Sequence, residues 1–104
     1  MTNICSANPS KLTAEDRATL RAALHPDWRT SEDGKSISRH FTFKGFAKAT
    51  YLANAAAFLS DQTGHHADIA FGWGYCTITY TTHEADRLSQ ADFTCAAKLD
   101  AMIA

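Results

Sequence analysis

Apolar residues recur along this chain with two periods, and each switch between them marks an element. Leu20, Ala23 and Leu24 fall three and four positions apart, which places them on one helical face. Thr13 with Asp16 three residues later predicts where that helix starts, because hydroxyl and carboxylate can each accept a free backbone N–H of the first turn. His25-Pro26 predicts its end, since the proline ring disfavours helical geometry at the preceding residue. Residues 28–31 then predict a short strand, and Asp33-Gly34 a tight hairpin turn. In the strand that follows, Ile37, Phe41 and Phe43 alternate with Ser38, His40 and Thr42, so one face is buried; Arg39 is the exception on that face.

Residues 45–64 read as the main helix: alanine-rich, free of proline, and closed by a glycine suited to a left-handed cap. Phe46, Ala49, Ala53 and Ala57 predict its packing face. Tyr51, Leu52, Ala55, Phe58 and Leu59 lie on another side, more apolar surface than one face requires. Either the first or last helix covers that side, or a second copy of the chain does; the latter predicts a homo-oligomer with Leu52, Ala55 and Leu59 in a helix-to-helix contact. Further on, Ile69, Phe71 and Trp73 alternate with Asp68, Ala70 and Gly72, and Gly72-Trp73-Gly74 predicts a turn. Cys76, Ile78 and Tyr80 alternate with Thr77, Thr79 and Thr81 in a β-branched strand pattern. Ser89 and Asp92 form a second capping pattern, opening a helix whose Phe93, Ala96, Leu99 and Ile103 share a face.

The order α-β-β-α-β-β-α predicts an α+β fold in which one antiparallel sheet carries the helices on one face. Residues 1–11 hold Asn8-Pro9-Ser10 without periodicity and are expected to be a disordered lead-in; residues 12–104 are expected to form a single domain. The net charge of -1 gives no electrostatic basis for binding nucleic acid or an anionic membrane. No apolar run approaches the ~18 residues of a membrane span. Cys5, Cys76 and Cys95 are odd in number and widely spaced, which predicts neither a disulfide framework nor a thiolate metal site, and hence a reducing, cytoplasmic setting.

Candidate chemistry gathers at His65-His66, His83 and Asp92. A loop pair of histidines is by itself commonly a solvated feature, and Asp92 can serve simply as a helix cap. A zinc site from the three histidines is disfavoured, because adjacent residues of an extended chain point to opposite sides and no further ligand completes a known spacing.

Taken together, however, Phe41-Thr42-Phe43-Lys44-Gly45-Phe46, His65-His66, Thr81-Thr82-His83-Glu84 and Leu88-Ser89 with Asp92 resemble the pterin-4a-carbinolamine dehydratase family, also called the dimerisation cofactor family. The resemblance implies a four-stranded antiparallel sheet with three helices on one face. It also implies the dehydration of 4a-hydroxytetrahydropterin to quinonoid dihydropterin, which returns the pterin cofactor of an aromatic amino acid hydroxylase to use, with no metal or organic cofactor. His65 and His83 correspond to the acid-base histidines, His66 to a pterin-binding histidine, Asp92 to the carboxylate beside them, and Asp61 to a further acidic position of the substrate site. Ala67 departs from the usual proline after the histidine pair, Gln62 from a common lysine, and Ile69 from a common aromatic. The family also implies homodimers and tetramers, and it includes non-enzymatic members that act as a transcription-factor dimerisation cofactor or an assembly chaperone. That binding-module role is the alternative to the enzyme.

Overall fold

The computed structural model describes residues 14–82 and 88–103. The lead-in at 1–11, the expected cap Thr13 and the candidate His83 lie outside the described residues. The elements are α1 (Ala14–Ala22), β1 (Arg29–Thr30), β2 (Ser36–Thr42), α2 (Ala47–Thr63), β3 (Asp68–Gly72), β4 (Tyr75–Thr81) and α3 (Gln90–Ile103). The strands form one sheet in the order β1-β2-β4-β3, with every neighbouring pair antiparallel. The helices cover one face of it, giving the expected α+β architecture.

Strand alternation places the core. Cys76, Ile78 and Tyr80 of β4 and Ile37 of β2 are fully buried against the helices, whereas Thr77, Thr79 and Thr81 occupy the open face and are partly exposed. Burying side chains of this size contributes about 1.5–3 kcal/mol each. Arg39 breaks the apolar pattern of its face because Asp100 of α3 receives its Nη1 at 2.9 Å. Its guanidinium also lies 4.4 Å from the centre of the Phe41 ring. The same carboxylate accepts Trp28 Nε1–H at 2.8 Å and the His25 N–H at 3.1 Å. One residue of α3 thus ties down α1's exit, the approach to β1 and β2.

Both turns form where the glycines predict. The β1–β2 connection is longer than a tight turn: Ser31 N–H reaches Ser36 O at 2.9 Å, and Asp33 accepts the Ser31 hydroxyl at 2.6 Å. That bond, followed by one from the Lys35 N–H, holds the Asp33 carboxyl below the ordinary aspartate range. The β3–β4 hairpin is tighter, with Trp73-Gly74 joining paired Gly72 and Tyr75. Gly74 takes φ 85, a left-handed value that a side chain would oppose.

Helix α2 has a different buried face from the one predicted. Ala49, Leu52, Ala53, Ala56, Leu59, Ser60 and Thr63 are buried, while Phe46 and Ala57 are exposed. Ala49, Leu52, Ala56, Leu59 and Thr63 are spaced alternately by three and four, so the stripe follows the 3.6-residue period more closely than a four-residue row of alanines does. Leu52 and Leu59 therefore sit in the chain's own core, 7% and 5% exposed, and the predicted helix-to-helix contact through them is corrected. Tyr51 and Phe58 remain outward at 68% and 60%.

Cys76 is a buried free thiol, and burial pushes its pKa up. Cys95 is disulfide-bonded, which corrects the expectation of reduced thiols. That expectation rested on spacing in sequence, whereas disulfides form by proximity in space. Among the described residues no helix is long and apolar enough to cross a membrane.

Candidate active site

The end of α2 positions the histidine pair. Gly64 caps the helix at φ 73 with its N–H on Ser60 O at 2.9 Å, a conformation that glycine adopts without steric cost. The chain therefore turns sharply out of α2 and delivers His65 beside the start of α3. Two hydroxyls brace the exit: Thr63 donates to Leu59 O at 2.9 Å, and Ser60 Oγ accepts the Ala67 N–H at 3.1 Å. A proline at position 67 has no N–H to donate, so the alanine found here gains a loop-to-helix bond.

His65 Nε2 lies 2.6 Å from Asp92 Oδ1, with the histidine side chain 14% exposed and the aspartate fully buried. The other oxygen, Oδ2, accepts the Ser89 backbone N–H at 2.9 Å and the Thr82 hydroxyl at 2.7 Å. Thr82 Oγ1 is also 2.7 Å from Ser89 Oγ. The cap reading of Asp92 holds in its geometry: one oxygen closes the α3 N-terminus, and the other meets His65. Ser89 and Asp92 belong to the predicted capping pattern, so the start of α3 brings the carboxylate to His65.

His66 points elsewhere, as adjacent residues of an extended segment do. Its Nε2 meets Asp61 Oδ1 at 3.1 Å, with both side chains largely exposed. The structure thus brings His65 to Asp92 and His66 to Asp61, two imidazole–carboxylate pairs at the same helix end. His83 is outside the described residues, although Thr82, the residue before it, is anchored in the Asp92 network. His25 and His40 lie apart from this group. His40 bonds Thr77 Oγ1 at 2.7 Å on the open sheet face.

Two contributors have no role assigned by the motif reading, although Thr82 lies within one of its motifs. Tyr80 stacks its ring on His65 at 6.2 Å between centroids and 15° between planes. Its hydroxyl is buried and has no hydrogen-bond partner among the described residues. Burial, then the charges of Asp100 and Asp92, push its pKa far above the ordinary tyrosine value. Strand alternation identifies Tyr80 as inward-facing but not as the platform beneath a histidine. Thr82 is the other: it looks like the end of a threonine-rich strand, and only its buried polar partners reveal more.

The arrangement offers a partly exposed imidazole backed by a buried carboxylate, a pairing suited to proton transfer. It also offers an exposed imidazole–carboxylate pair beside it that can donate and accept hydrogen bonds to a polar ligand.

Known proteins share this framework. A Paracoccus denitrificans (strain Pd 1222) protein, provisionally named a pterin-4-alpha-carbinolamine dehydratase, is 48% identical over 90 residues, covering 86% of this chain and 83% of its own. A Legionella pneumophila (strain Corby) protein with the same provisional name is 33% identical over 99 residues, covering 95% and 88%. Among solved structures, the transcriptional coactivator/pterin dehydratase from Brucella melitensis superposes with a TM-score of 0.82 over 91% of this chain and 100% of that one. At 24% identity that likeness speaks to the fold. A pterin dehydratase-like protein identified as a RuBisCO assembly factor in the alpha-carboxysome superposes at 0.62 with 30% identity, over 75% of this chain and 90% of that one. The family model for pterin 4 alpha carbinolamine dehydratase matches residues 10–102, and the chain belongs to that family.

Proposed function

We propose that this protein is a 4a-hydroxytetrahydropterin dehydratase that serves tetrahydropterin recycling. In the reaction the C4a–O bond breaks, the leaving oxygen gains a proton, and the ring loses its N5 proton, so that water and quinonoid dihydropterin result. One group must act as acid and another as base. His65 and His83 take these two roles. His66, held by Asp61, binds the pterin, and Asp92 orients His65. The reading needs no metal, because each step is a proton transfer between imidazole and substrate.

The observation that carries the proposal is the contact between His65 and the buried Asp92 at 2.6 Å. A solvated loop histidine has no need of a buried carboxylate, whereas a proton-transfer histidine needs its orientation and tautomer fixed. The test follows ultraviolet absorbance of freshly generated 4a-hydroxytetrahydropterin with and without the protein. His65→Ala and His83→Ala should each lower the rate by ~10²–10⁴-fold with the fold intact. A wild-type protein that leaves the spontaneous dehydration rate unchanged would favour the non-enzymatic role of a binding module.

Self-association is part of the same reading. Among the described residues, β3 has a sheet neighbour on one side only. Phe46, Phe71, Trp73 and Tyr75 beside it are exposed, with the Phe46 and Phe71 rings tilted by 37° at 6.0 Å between centroids. An open groove of about 840 Å³ between helices and sheet is lined by Phe41, Phe43, Tyr51 and Ala55. Such surface is characteristic of protein contacts, and a second copy is the partner proposed for it. The corrected helix contact runs through Tyr51 and Ala55 in place of Leu52 and Leu59, and a tetramer is the expected assembly.

A further inference from the structure

We propose that Thr82 is a positioning residue: acting through the far oxygen of Asp92, it keeps the shared hydrogen on His65 Nε2 and leaves Nδ1 as the nitrogen that exchanges protons with substrate. This rests on the dehydratase reading above.

The argument is an accounting of hydrogens. The Ser89 backbone N–H can only donate, and it donates to Asp92 Oδ2 at 2.9 Å. The Thr82 hydroxyl has one hydrogen and two neighbours, Asp92 Oδ2 at 2.7 Å and Ser89 Oγ at 2.7 Å. An ionised carboxylate only accepts, so the Thr82 hydrogen goes to Oδ2, and Ser89 Oγ donates its own hydrogen to Thr82 Oγ1. The result is a one-way chain, Ser89 to Thr82 to Asp92. With two donors on Oδ2, an ionised Asp92 is left to accept at Oδ1 as well. The hydrogen in the 2.6 Å contact at Oδ1 then resides on His65 Nε2.

A neutral His65 with its hydrogen on Nε2 carries its lone pair on Nδ1. Protonated, it carries the added hydrogen on Nδ1. Either way Nδ1 is the nitrogen that gives or takes the proton, while Nε2 stays committed to Asp92. Water does not substitute for the Thr82 hydroxyl easily, since Thr82, Ser89 and Asp92 are 6%, 1% and 0% exposed. Thr82 lies within this chain of donors and touches no reacting atom.

Thr82→Val keeps the shape and removes the donor; Thr82→Ser keeps the donor and removes a methyl. In ¹⁵N-histidine-labelled wild-type protein, the neutral His65 ring, assigned by its loss in His65→Ala, should show a protonated Nε2 and an unprotonated Nδ1. Thr82→Val should mix or reverse that pattern and lower kcat roughly tenfold, the scale of one hydrogen bond to a charged group, with KM unchanged. Thr82→Ser should restore both the spectrum and kcat. Wild-type spectrum and kcat in Thr82→Val would overturn the inference, as would equal loss in the serine and valine variants, which would make the methyl packing responsible. If the valine variant fails to fold, Ser89→Ala removes only the hydroxyl at the head of the chain and should move the spectrum in the same direction by less; an unmoved spectrum then overturns the inference. The ring-nitrogen spectrum is independent of turnover, so an inactive wild type would refute the dehydratase reading while the spectrum still decides the role of Thr82.

Discussion

Replacing Tyr80 by phenylalanine should make the protein more stable, and increasingly so as the solution becomes alkaline. The side chain is fully buried, and its hydroxyl has no hydrogen-bond partner among the described residues. An unmatched buried hydroxyl costs about 1–3 kcal/mol of desolvation. Removing it forfeits only a few dispersion contacts, so a net gain of about 1 kcal/mol is expected at pH 7. For a domain near 100 residues this corresponds to a rise in Tm of about 4–8 °C. The pH dependence has a definite sign. Burial and the neighbouring Asp100 and Asp92 charges raise the folded tyrosine's pKa above the unfolded value, which is ordinarily near ~10. Below that value both states hold the proton and the gap between wild type and variant is constant. Above it the unfolded wild-type chain ionises while the folded one resists, so wild type loses up to ~1.4 kcal/mol per pH unit that Tyr80→Phe does not lose through this group. Urea denaturation followed by circular dichroism at pH 7, 10 and 11 measures the gap. A variant destabilised by 1 kcal/mol or more at pH 7, as rough bounds on a lost hydrogen bond require, would mean the hydroxyl has a partner and would refute the reasoning. A gap that stays flat between pH 10 and 11 would do the same.

Three further outcomes are expected. Ala67→Pro should remove the bond from the Ala67 N–H to Ser60 Oγ and lower stability by about 1 kcal/mol before any gain from chain stiffening; equal or greater stability in urea would show that stiffening outweighs the bond. His66→Ala and Asp61→Ala should raise KM in the dehydration assay while changing kcat by less than about threefold, the pattern of an interaction made equally in ground and transition states; a selective fall in kcat would move His66 into the proton-transfer set. Turnover should survive exhaustive chelation, with elemental analysis finding no stoichiometric metal, since imidazole proton transfer needs none; one zinc per chain, with activity lost on its removal, would replace the acid-base assignment.

Much of this architecture was legible in the chain because strand alternation and capping chemistry are local. Cys76, Ile78 and Tyr80 read as one buried face of β4, and they are. Gly64 reads as a left-handed cap, and it is one. The main helix was less legible: alanine carries little sign of which side it faces, so the row Phe46, Ala49, Ala53 and Ala57 looked as good as the stripe that Leu52 and Leu59 select. Arg39 looked like a flaw in its strand because its partner, Asp100, lies 61 residues away. At the candidate site, residue types drew attention to His65, His66 and Asp92, and the family resemblance added Asp61. Neither was enough to pair them, because pairing depends on where α2 ends relative to where α3 begins. Tyr80 and Thr82 stayed hidden for a related reason: a stacked ring and a buried donor are properties of neighbours in space.

The convergence on Asp100 bears on how the chain reaches its native state. Its carboxylate holds the Trp28 indole across 72 residues of sequence and the His25 amide across 75. Contacts of such high sequence separation must await closure of a long loop, which slows folding relative to local pairing. Trp28 and Arg39 lack their carboxylate acceptor until the last turn of α3 is in place. The segment from α1 to β2 is therefore completed only when α3 docks, making the last helix the latch on the first. Shortening α3 before Asp100 should be felt most at α1 and β1, the opposite end of the chain.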